Sequence, residues 1–158
     1  GPRDPQYGMH DPMAPVAVQR IVESGQDVRL GSGALAFEPI ATPGHTPGAL
    51  SWRWDSCDAS GDCKSIVYAD SLSPVSSETY RFSDHPRYVA AYRAGPARLS
   101  SAKCDSLTAP RPSSGDMVER LLSGKGLEDP AGCTAYAESI GKRLDQRLAE
   151  EARAGNGG

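Results

Sequence analysis

The sequence predicts an α+β fold in which a sheet is covered on one face by helices. In the first half, apolar residues alternate with polar ones, as in Leu50, Trp52 and Trp54, which is the period of a half-buried strand. In the last third, apolar residues such as Tyr136 and Ile140 recur at three or four positions, which is the period of an amphipathic helix. Because strand patterns come first and helical patterns follow, the helices are expected to pack on one face of the sheet.

Length and charge exclude several classes of protein. The chain has 158 residues, enough for one domain with a continuous core. No apolar run approaches the ~20 residues needed to span a bilayer, so no membrane partner is expected. The formal net charge is -3 and the 17 Lys and Arg residues are scattered, which argues against a nucleic-acid partner.

The chain is predicted to divide into an extended arm (1–20), a folded unit (21–153) and a disordered tail (154–158). Four prolines in the first 15 residues disfavour both a helix and a central strand there. The first residues, Gly-Pro-Arg-Asp-Pro, lack a Met and lack a basic segment followed by an apolar one, so no signal peptide is expected within this sequence.

Short strands are predicted in order from Val28 onward, joined by tight turns that contain Gly25, Gly31 and Gly33. The segment CDASGDC reads as the tip of a hairpin, which a bond between Cys57 and Cys63 could close. The predicted strands contain Val28 and Leu30, Leu35 and Phe37, Leu50 to Trp54, Ser65 to Ala69, and Asp105 to Ala109.

Three helices are predicted. The first starts at Ser83 to Pro86 and should bend or divide at Gly95-Pro96. The second is capped by Ser113 and Ser114 and carries Met117, Val118, Leu121 and Leu122 on one face. The third has a repeating apolar face and ends in a polar tail from Glu150; that face comprises Tyr136, Ala137, Ile140, Leu144 and Leu148.

The four cysteines, Cys57, Cys63, Cys104 and Cys133, are even in number, and none of their spacings is Cys-x-x-Cys. Two disulfides are the favoured interpretation, which implies an oxidising compartment and a periplasmic or secreted protein. The alternative is four reduced, buried thiols in a cytosolic protein.

One histidine, His45, lies between two Pro-Gly turns in the segment ATPGHTPG. A rigid connection of this kind suits a metal ligand or an acid/base, because little entropy is lost in positioning the ring. From the residues alone, a hydrogen bond that stabilises the loop is the favoured interpretation, and a ligand or catalytic role is the alternative. His85 beside Pro86 is expected to cap or pack a helix, and His10 in the arm is expected to have no role.

Four segments together resemble the C-terminal half of a metallo-β-lactamase. They are TPGHTPGALSW, VYADSLS, the run CDSLTAPRPS from Cys104, and CTAYA from Cys133. The similarity is to the third subclass, in which serine stands in place of a cysteine ligand, and it extends from about Asp4 to Arg153. The resemblance implies half of an αββα sandwich, with a mixed sheet covered on one face by helices.

The resemblance also implies roles for particular residues. His45 matches the third histidine of the first zinc site, and Ser71 and Ser73 match serines that hold the carboxylate of a β-lactam. Asp70 would orient the loop that carries Ser71 and Ser73 without contacting the zinc or the substrate itself. A turn-capping aspartate is an equal alternative. The implied disulfides are Cys104–Cys133, which ties the last helix to the core, and Cys57–Cys63.

Two departures from the family pattern matter. The His-x-His-x-Asp-His run that supplies further zinc ligands is absent, and Arg111 stands where the family has the last zinc-site histidine. A guanidinium stays protonated and has no lone pair to offer, so Arg111 cannot bind zinc. It could attract a substrate carboxylate, or it could form an ordinary surface ion pair.

Whether the chain is an enzyme is therefore left open. The first hypothesis is a zinc-dependent β-lactam hydrolase of the kind that confers antibiotic resistance, with zinc binding weak or absent and no activity in this chain alone. The second is a non-catalytic binding or assembly module with a degenerate metal site, and the third is a related lactonase or thioesterase. A single half-sandwich would expose the sheet face that the other half covers, so a missing N-terminal half or a second copy is the expected partner.

Overall fold

A computed structural model describes residues 3–11, 14–32 and 35–155, and it confirms the α+β class. Gly33, Pro2 and Pro12 lie outside the described residues, as does the end of the predicted tail (156–158). Five strands and three α-helices follow one another in the described residues, with one turn of 3-10 helix, Phe82–Asp84, before the first α-helix. The strands are β1 (Val28–Leu30), β2 (Leu35–Ala41), β3 (Leu50–Cys57), β4 (Cys63–Tyr68) and β5 (Ser106–Thr108); the helices are α1 (Pro86–Ser101), α2 (Met117–Leu122) and α3 (Gly132–Gly155).

The strands form one mixed sheet in the order β1-β2-β3-β4-β5. The first three pairings are antiparallel, whereas β4 and β5 are parallel because the chain crosses back through α1 between them. In the register, Trp52 of β3 lies opposite Tyr68 of β4, and Tyr68 lies opposite Thr108 of β5. The end of β2, the start of β3 and the ends of β4 and β5 therefore meet at one edge of the sheet.

The two faces of the sheet differ in what covers them. On one face, α1 and α3 pack over Val67 and Leu107, and the core between them includes Tyr92, Leu99 and Ile140. On the other face, alternate residues line an open apolar depression of about 390 Å³, which no described residue fills. This aromatic face consists of Val28, Phe37, Trp52, Trp54 and Tyr68.

Helix α1 runs through Gly95 and Pro96 without dividing, so the predicted division is wrong. Both residues are buried, and a Cβ on Gly95 would come within 3.0 Å of the Thr42 Cα. The small residue therefore allows the helix to approach the loop after β2 closely. We attribute the continuous helix to this packing, which outweighs the cost of the helical hydrogen bond that proline cannot donate.

Helix α2 is shorter and more exposed than its apolar pattern predicts. Neither serine caps it, because the residue before the helix is Asp116, which adopts a left-handed conformation (φ 56°) with no capping hydrogen bond from its side chain. Leu121 and Leu122 are exposed, the latter at 84%. The predicted face of this helix therefore contributes little to the core.

The N-terminal arm is not simply extended. Residues 3–9 form turns, Pro5 is fully buried, and its carbonyl accepts the backbone amide of Ser77 at 2.8 Å. The predicted tail also differs, since α3 continues through Ala154 to Gly155. Both described ends of the chain are therefore more ordered than their composition predicts.

Both predicted disulfides are present, Cys57–Cys63 at the tip of the β3–β4 hairpin and Cys104–Cys133 between the α1–β5 connection and α3. The second is buried and connects the segment before β5 to the first turn of α3. None of the helices among the described residues is both long enough and apolar enough to cross a bilayer.

Candidate functional site

Three loops that carry the predicted site residues leave the sheet at the same edge. The loop 42–49 connects β2 to β3, the loop 69–77 follows β4, and the loop 109–116 follows β5. Since the register joins these strand ends side by side, residues distant in sequence come from neighbouring strands. Polar side chains in loops on a rigid sheet edge are a common basis for binding sites.

His45 contacts the second of these loops directly. Its Nδ1 lies 3.0 Å from the carbonyl oxygen of Ser73. A carbonyl oxygen only accepts, so Nδ1 carries the hydrogen and the neutral ring keeps its lone pair on Nε2. The backbone of His45 is held as well, because Gln6 Nε2 donates to its carbonyl oxygen at 3.0 Å. The ring is therefore fixed in orientation and tautomer, as a ligand or a base requires.

The loop after β4 is ordered by its own aspartate. The Asp70 carboxylate accepts the backbone amide of Ser71 at 2.7 Å, and the Asp70 amide donates to the Ser51 hydroxyl at 3.0 Å. This geometry corresponds to the turn-capping alternative for Asp70, and the same contact orients Ser71. The hydroxyls of Ser71 and Ser73 make no hydrogen bond to any other residue in the described part of the chain, and both residues are partly exposed.

Arg111 lies in the third loop, three residues beyond the end of β5, and it is exposed. Its carbonyl oxygen accepts the amide of Ser114 at 2.8 Å, which forms the turn before α2. Within residues 3–11, 14–32 and 35–155 its guanidinium has no ion pair or hydrogen bond, so the predicted surface ion pair is not found there. The side chain adds an unneutralised positive charge to this edge of the sheet.

The other two histidines behave differently from His45. His85 stacks on the ring of Tyr80, with centroids 4.5 Å apart, and its side chain makes no capping hydrogen bond. It is therefore a packing residue, one of the two predicted alternatives. His10 lies exposed in the N-terminal segment.

Sequence reasoning missed the residues that support these loops. Tyr88 and Tyr92 fall in the first predicted helix but were given no role, yet both hydroxyls donate to loop carbonyls, those of Gly44 and Leu72 respectively. Gln6, in the predicted arm, was not predicted to have any role. Two tyrosines four residues apart on one helix face were the available signal, since a buried phenol usually finds an acceptor.

Within the part of the chain that the structure describes, no complete zinc site is assembled. A catalytic zinc takes about three protein ligands, usually His, Asp, Glu or Cys. The described residues hold no group of three or more such side chains that could bind a metal, and all four cysteines form disulfides. Among the described residues, His45 is thus a candidate ligand without a group of further donor side chains around it.

Comparisons with known proteins identify the fold. No protein-family model matches the chain, and no curated protein sequence does. Solved structures match along most or all of its length. The metallo-β-lactamase MIM-1 from Novosphingobium pentaromativorans is 41% identical with a TM-score of 0.88, over 100% of this chain and 56% of that one.

Two further structures agree with this match. MIM-2 metallo-β-lactamase is 48% identical with a TM-score of 0.84, over 96% of this chain and 54% of its own. MEM-A1, a subclass B3 metallo-β-lactamase from a soil metagenome library, is 37% identical with a TM-score of 0.86, over 96% and 59%. This chain thus spans little more than half the length of the structures it matches. On its fold and on this identity, it belongs to the metallo-β-lactamase family.

Proposed function

We propose that this chain supplies one side of a β-lactam-hydrolysing site and that the remaining metal ligands come from residues outside it. In this assignment His45 offers Nε2 to a zinc ion, and Ser71 and Ser73 offer their hydroxyls to the carboxylate of a β-lactam. The chain alone is then inactive as a hydrolase. The similar proteins are named metallo-β-lactamases, which supports the reaction class.

The observation that carries the proposal is the hydrogen bond between His45 Nδ1 and the Ser73 carbonyl oxygen. It joins the candidate ligand loop to the candidate substrate loop and leaves Nε2 free of the ring hydrogen. The loop that His45 contacts also carries Ser71 and Ser73, whose hydroxyls make no hydrogen bond to another described residue. The contact therefore favours a shared site over two unrelated loops.

Arg111 has a role compatible with this assignment. A guanidinium presents several N–H donors in a fixed fork, which matches the two oxygens of a carboxylate. An exposed Arg111 without an ion pair to the rest of the described chain is available for such a contact. We infer that it attracts the substrate carboxylate toward the edge where Ser71 and Ser73 lie.

The partner that we propose for the aromatic face is polypeptide corresponding to the part of the related structures that this chain does not span. That part amounts to more than 40% of the MIM-1 chain, of which 56% is covered. An open depression lined by Trp52, Trp54 and Tyr68 is a large apolar surface to leave in water. A second copy of this chain is the competing occupant.

A non-catalytic binding module is the second candidate function, and the observation in its favour is Arg111. An arginine at a position matched to a metal-binding histidine offers no lone pair, so retention of the fold without the metal would be compatible with it.

In either case, the two disulfides support an oxidising compartment, so we place the protein in the periplasm or outside the cell.

The two functions are separated by zinc analysis and nitrocefin turnover on two samples. One is the chain alone, and the other is the chain co-expressed with a polypeptide that corresponds to the unmatched part of MIM-1. The proposal expects no stoichiometric zinc and no turnover in the first sample, and turnover in the second that is lost in His45→Ala but kept in His10→Ala. Turnover by the chain alone would contradict it, and a paired sample that binds no zinc and is inactive favours the module.

A further inference from the structure

The loops that carry His45 and Ser73 are both held by the same helix. On α1, the Tyr88 hydroxyl donates to the Gly44 carbonyl oxygen at 2.9 Å. One turn later, the Tyr92 hydroxyl donates to the carbonyl oxygen of Leu72. Residues four apart on a helix lie on one face, so the two phenols reach two different loops from a single rigid support.

Both acceptors directly precede a candidate site residue, since Gly44 comes before His45 and Leu72 comes before Ser73. A third tyrosine has a longer contact of the same kind: the Tyr136 hydroxyl of α3 lies 3.5 Å from the carbonyl oxygen of Asp70, the residue before Ser71. A hydrogen bond to a carbonyl oxygen restrains the planar peptide group that this carbonyl shares with the backbone nitrogen and Cα of the next residue.

We propose that Tyr88 and Tyr92 are positioning residues that set the separation between His45 and Ser73, so that α1 keeps the two loops in register. Their contacts close a ring that runs from Tyr88 through Gly44 and His45, across the Nδ1 contact to Ser73, and back through Leu72 to Tyr92. We call Tyr88, Tyr92 and these contacts the tyrosine frame. That the frame serves a catalytic site rests on the proposed function, whereas its effect on the distance between the two loops does not.

Burial supports the donor role of both hydroxyls. Tyr92 is fully buried and Tyr88 is half-buried. Removal from water raises the pKa of each phenol well above its ordinary value, and each also lies near a neighbouring tyrosine that acts in the same direction. Both groups therefore remain protonated at neutral pH and can donate. Because a carbonyl oxygen cannot donate in return, each contact has one direction.

The packing of Gly44 adds a second constraint to the same loop. A Cβ on Gly44 would lie 2.6 Å from Cε2 of the Tyr92 ring. The Tyr92 ring thus contacts the His45 loop while its hydroxyl holds the Ser73 loop. One side chain therefore touches both loops, and its position is determined by close packing as well as by the hydrogen bond.

Hydrogen exchange on the isolated chain tests the frame, using Tyr88→Phe, Tyr92→Phe and Tyr80→Phe. Tyr80 is the matched control, because it is a buried tyrosine of the same cluster whose hydroxyl has no hydrogen bond to another described residue. We expect amides in 42–49 to exchange roughly three- to ten-fold faster in Tyr88→Phe, and amides in 69–75 to do so in Tyr92→Phe. The carbonyl ¹³C resonances of Gly44 and Leu72 should shift in the corresponding variants, and neither should shift in Tyr80→Phe.

Unchanged exchange in both loops, or an equal increase throughout the chain, would overturn the proposal. If Tyr92→Phe fails to fold, Tyr88→Phe decides the question, because its half-buried ring is retained and only one hydroxyl is lost. Amide exchange and the carbonyl resonances can be measured whether or not the chain has hydrolase activity. Loop-specific changes combined with an inactive paired sample would leave the frame intact and refute the proposed function.

Discussion

The side-chain hydroxyls of Thr42 and Ser51 lie 2.9 Å apart, and both residues are fully buried. Ser51 Oγ also accepts the backbone amide of Asp70 at 3.0 Å. One hydroxyl of β3 therefore links Thr42, at the start of the loop that contains His45, to the loop that contains Ser71.

Ser51→Ala should leave the Thr42 hydroxyl and the Asp70 amide without this partner in a buried place. The expected cost is about 1 to 3 kcal/mol in the free energy of unfolding, measured by urea denaturation. Ser56→Ala on the exposed end of the same strand is the control and should cost less than about 0.5 kcal/mol. Equal stability of the two variants would show that the buried link contributes nothing.

Gly44→Ala should destabilise the chain much more than Gly48→Ala, although both glycines belong to the same loop. The new methyl at position 44 would lie 2.6 Å from the buried Tyr92 ring, whereas nothing lies within 4 Å of a Cβ at position 48. Overpacking of this kind costs about 1 to 3 kcal/mol. Thermal melts followed by circular dichroism compare the two, and a smaller effect at position 44 would contradict the packing described.

Glu151 should make stability dependent on acid pH. Burial by itself raises the pKa of this carboxyl, but the amides of Ser83 and Phe82 and the Arg147 side chain donate to it, so its pKa is lowered overall. A carboxyl with a lowered folded-state pKa adds stability above its ordinary pKa, near 4.5, and this contribution is lost as the pH falls through the folded-state value.

Glu151→Gln should therefore lower the stability at pH 7 by about 1 to 3 kcal/mol, with the difference from the parent chain shrinking below pH 4.5. Chemical denaturation from pH 3 to 7 measures this. Glu150→Gln, at the exposed neighbouring position, should show little difference at any pH. A Glu151→Gln deficit that is independent of pH would rule out the charge as its origin.

Trp54→Lys should reduce self-association of the isolated chain. The Trp54 and Phe37 rings pack 5.4 Å apart on the open aromatic face, so a lysine there places charge in the centre of any interface. Sedimentation over a range of concentrations should show association of the parent chain and less of it in the variant. Leu122→Lys, at an 84% exposed residue of α2, is the control and should leave association unchanged. A parent chain that is monomeric and binds no apolar dye would refute an exposed interface.

Arg111→His should raise the zinc content of the paired sample described above. A neutral imidazole offers a lone pair that the guanidinium lacks, so an additional ligand becomes available at that position. Metal analysis of the purified complex measures the change, with Arg120→His as a control in the same region, since Arg120 pairs with Asp129 at 3.1 Å. An unchanged zinc content would mean that Arg111 does not lie at the metal position.

Much of the fold follows from local patterns in the sequence. The alternation in β3 and the three- and four-residue repeat in α3 determine which face each element buries, because both periods are set by backbone geometry. The hairpin between Cys57 and Cys63 follows from a short polar turn between two strands. His45 could be singled out from its own neighbours, since two Pro-Gly turns restrict the chain on either side of it.

Only the tertiary structure decided how these pieces meet. We attribute the continuity of α1 through Gly95-Pro96 to the close approach of Thr42, and the carbonyl of Pro5 pairs with the amide of the distant Ser77. The contact of His45 with Ser73 and the tyrosine hydroxyls beneath it join residues 20 to 44 positions apart. No local pattern specifies such pairs, because each is formed only when distant segments pack and buried polar groups must find partners.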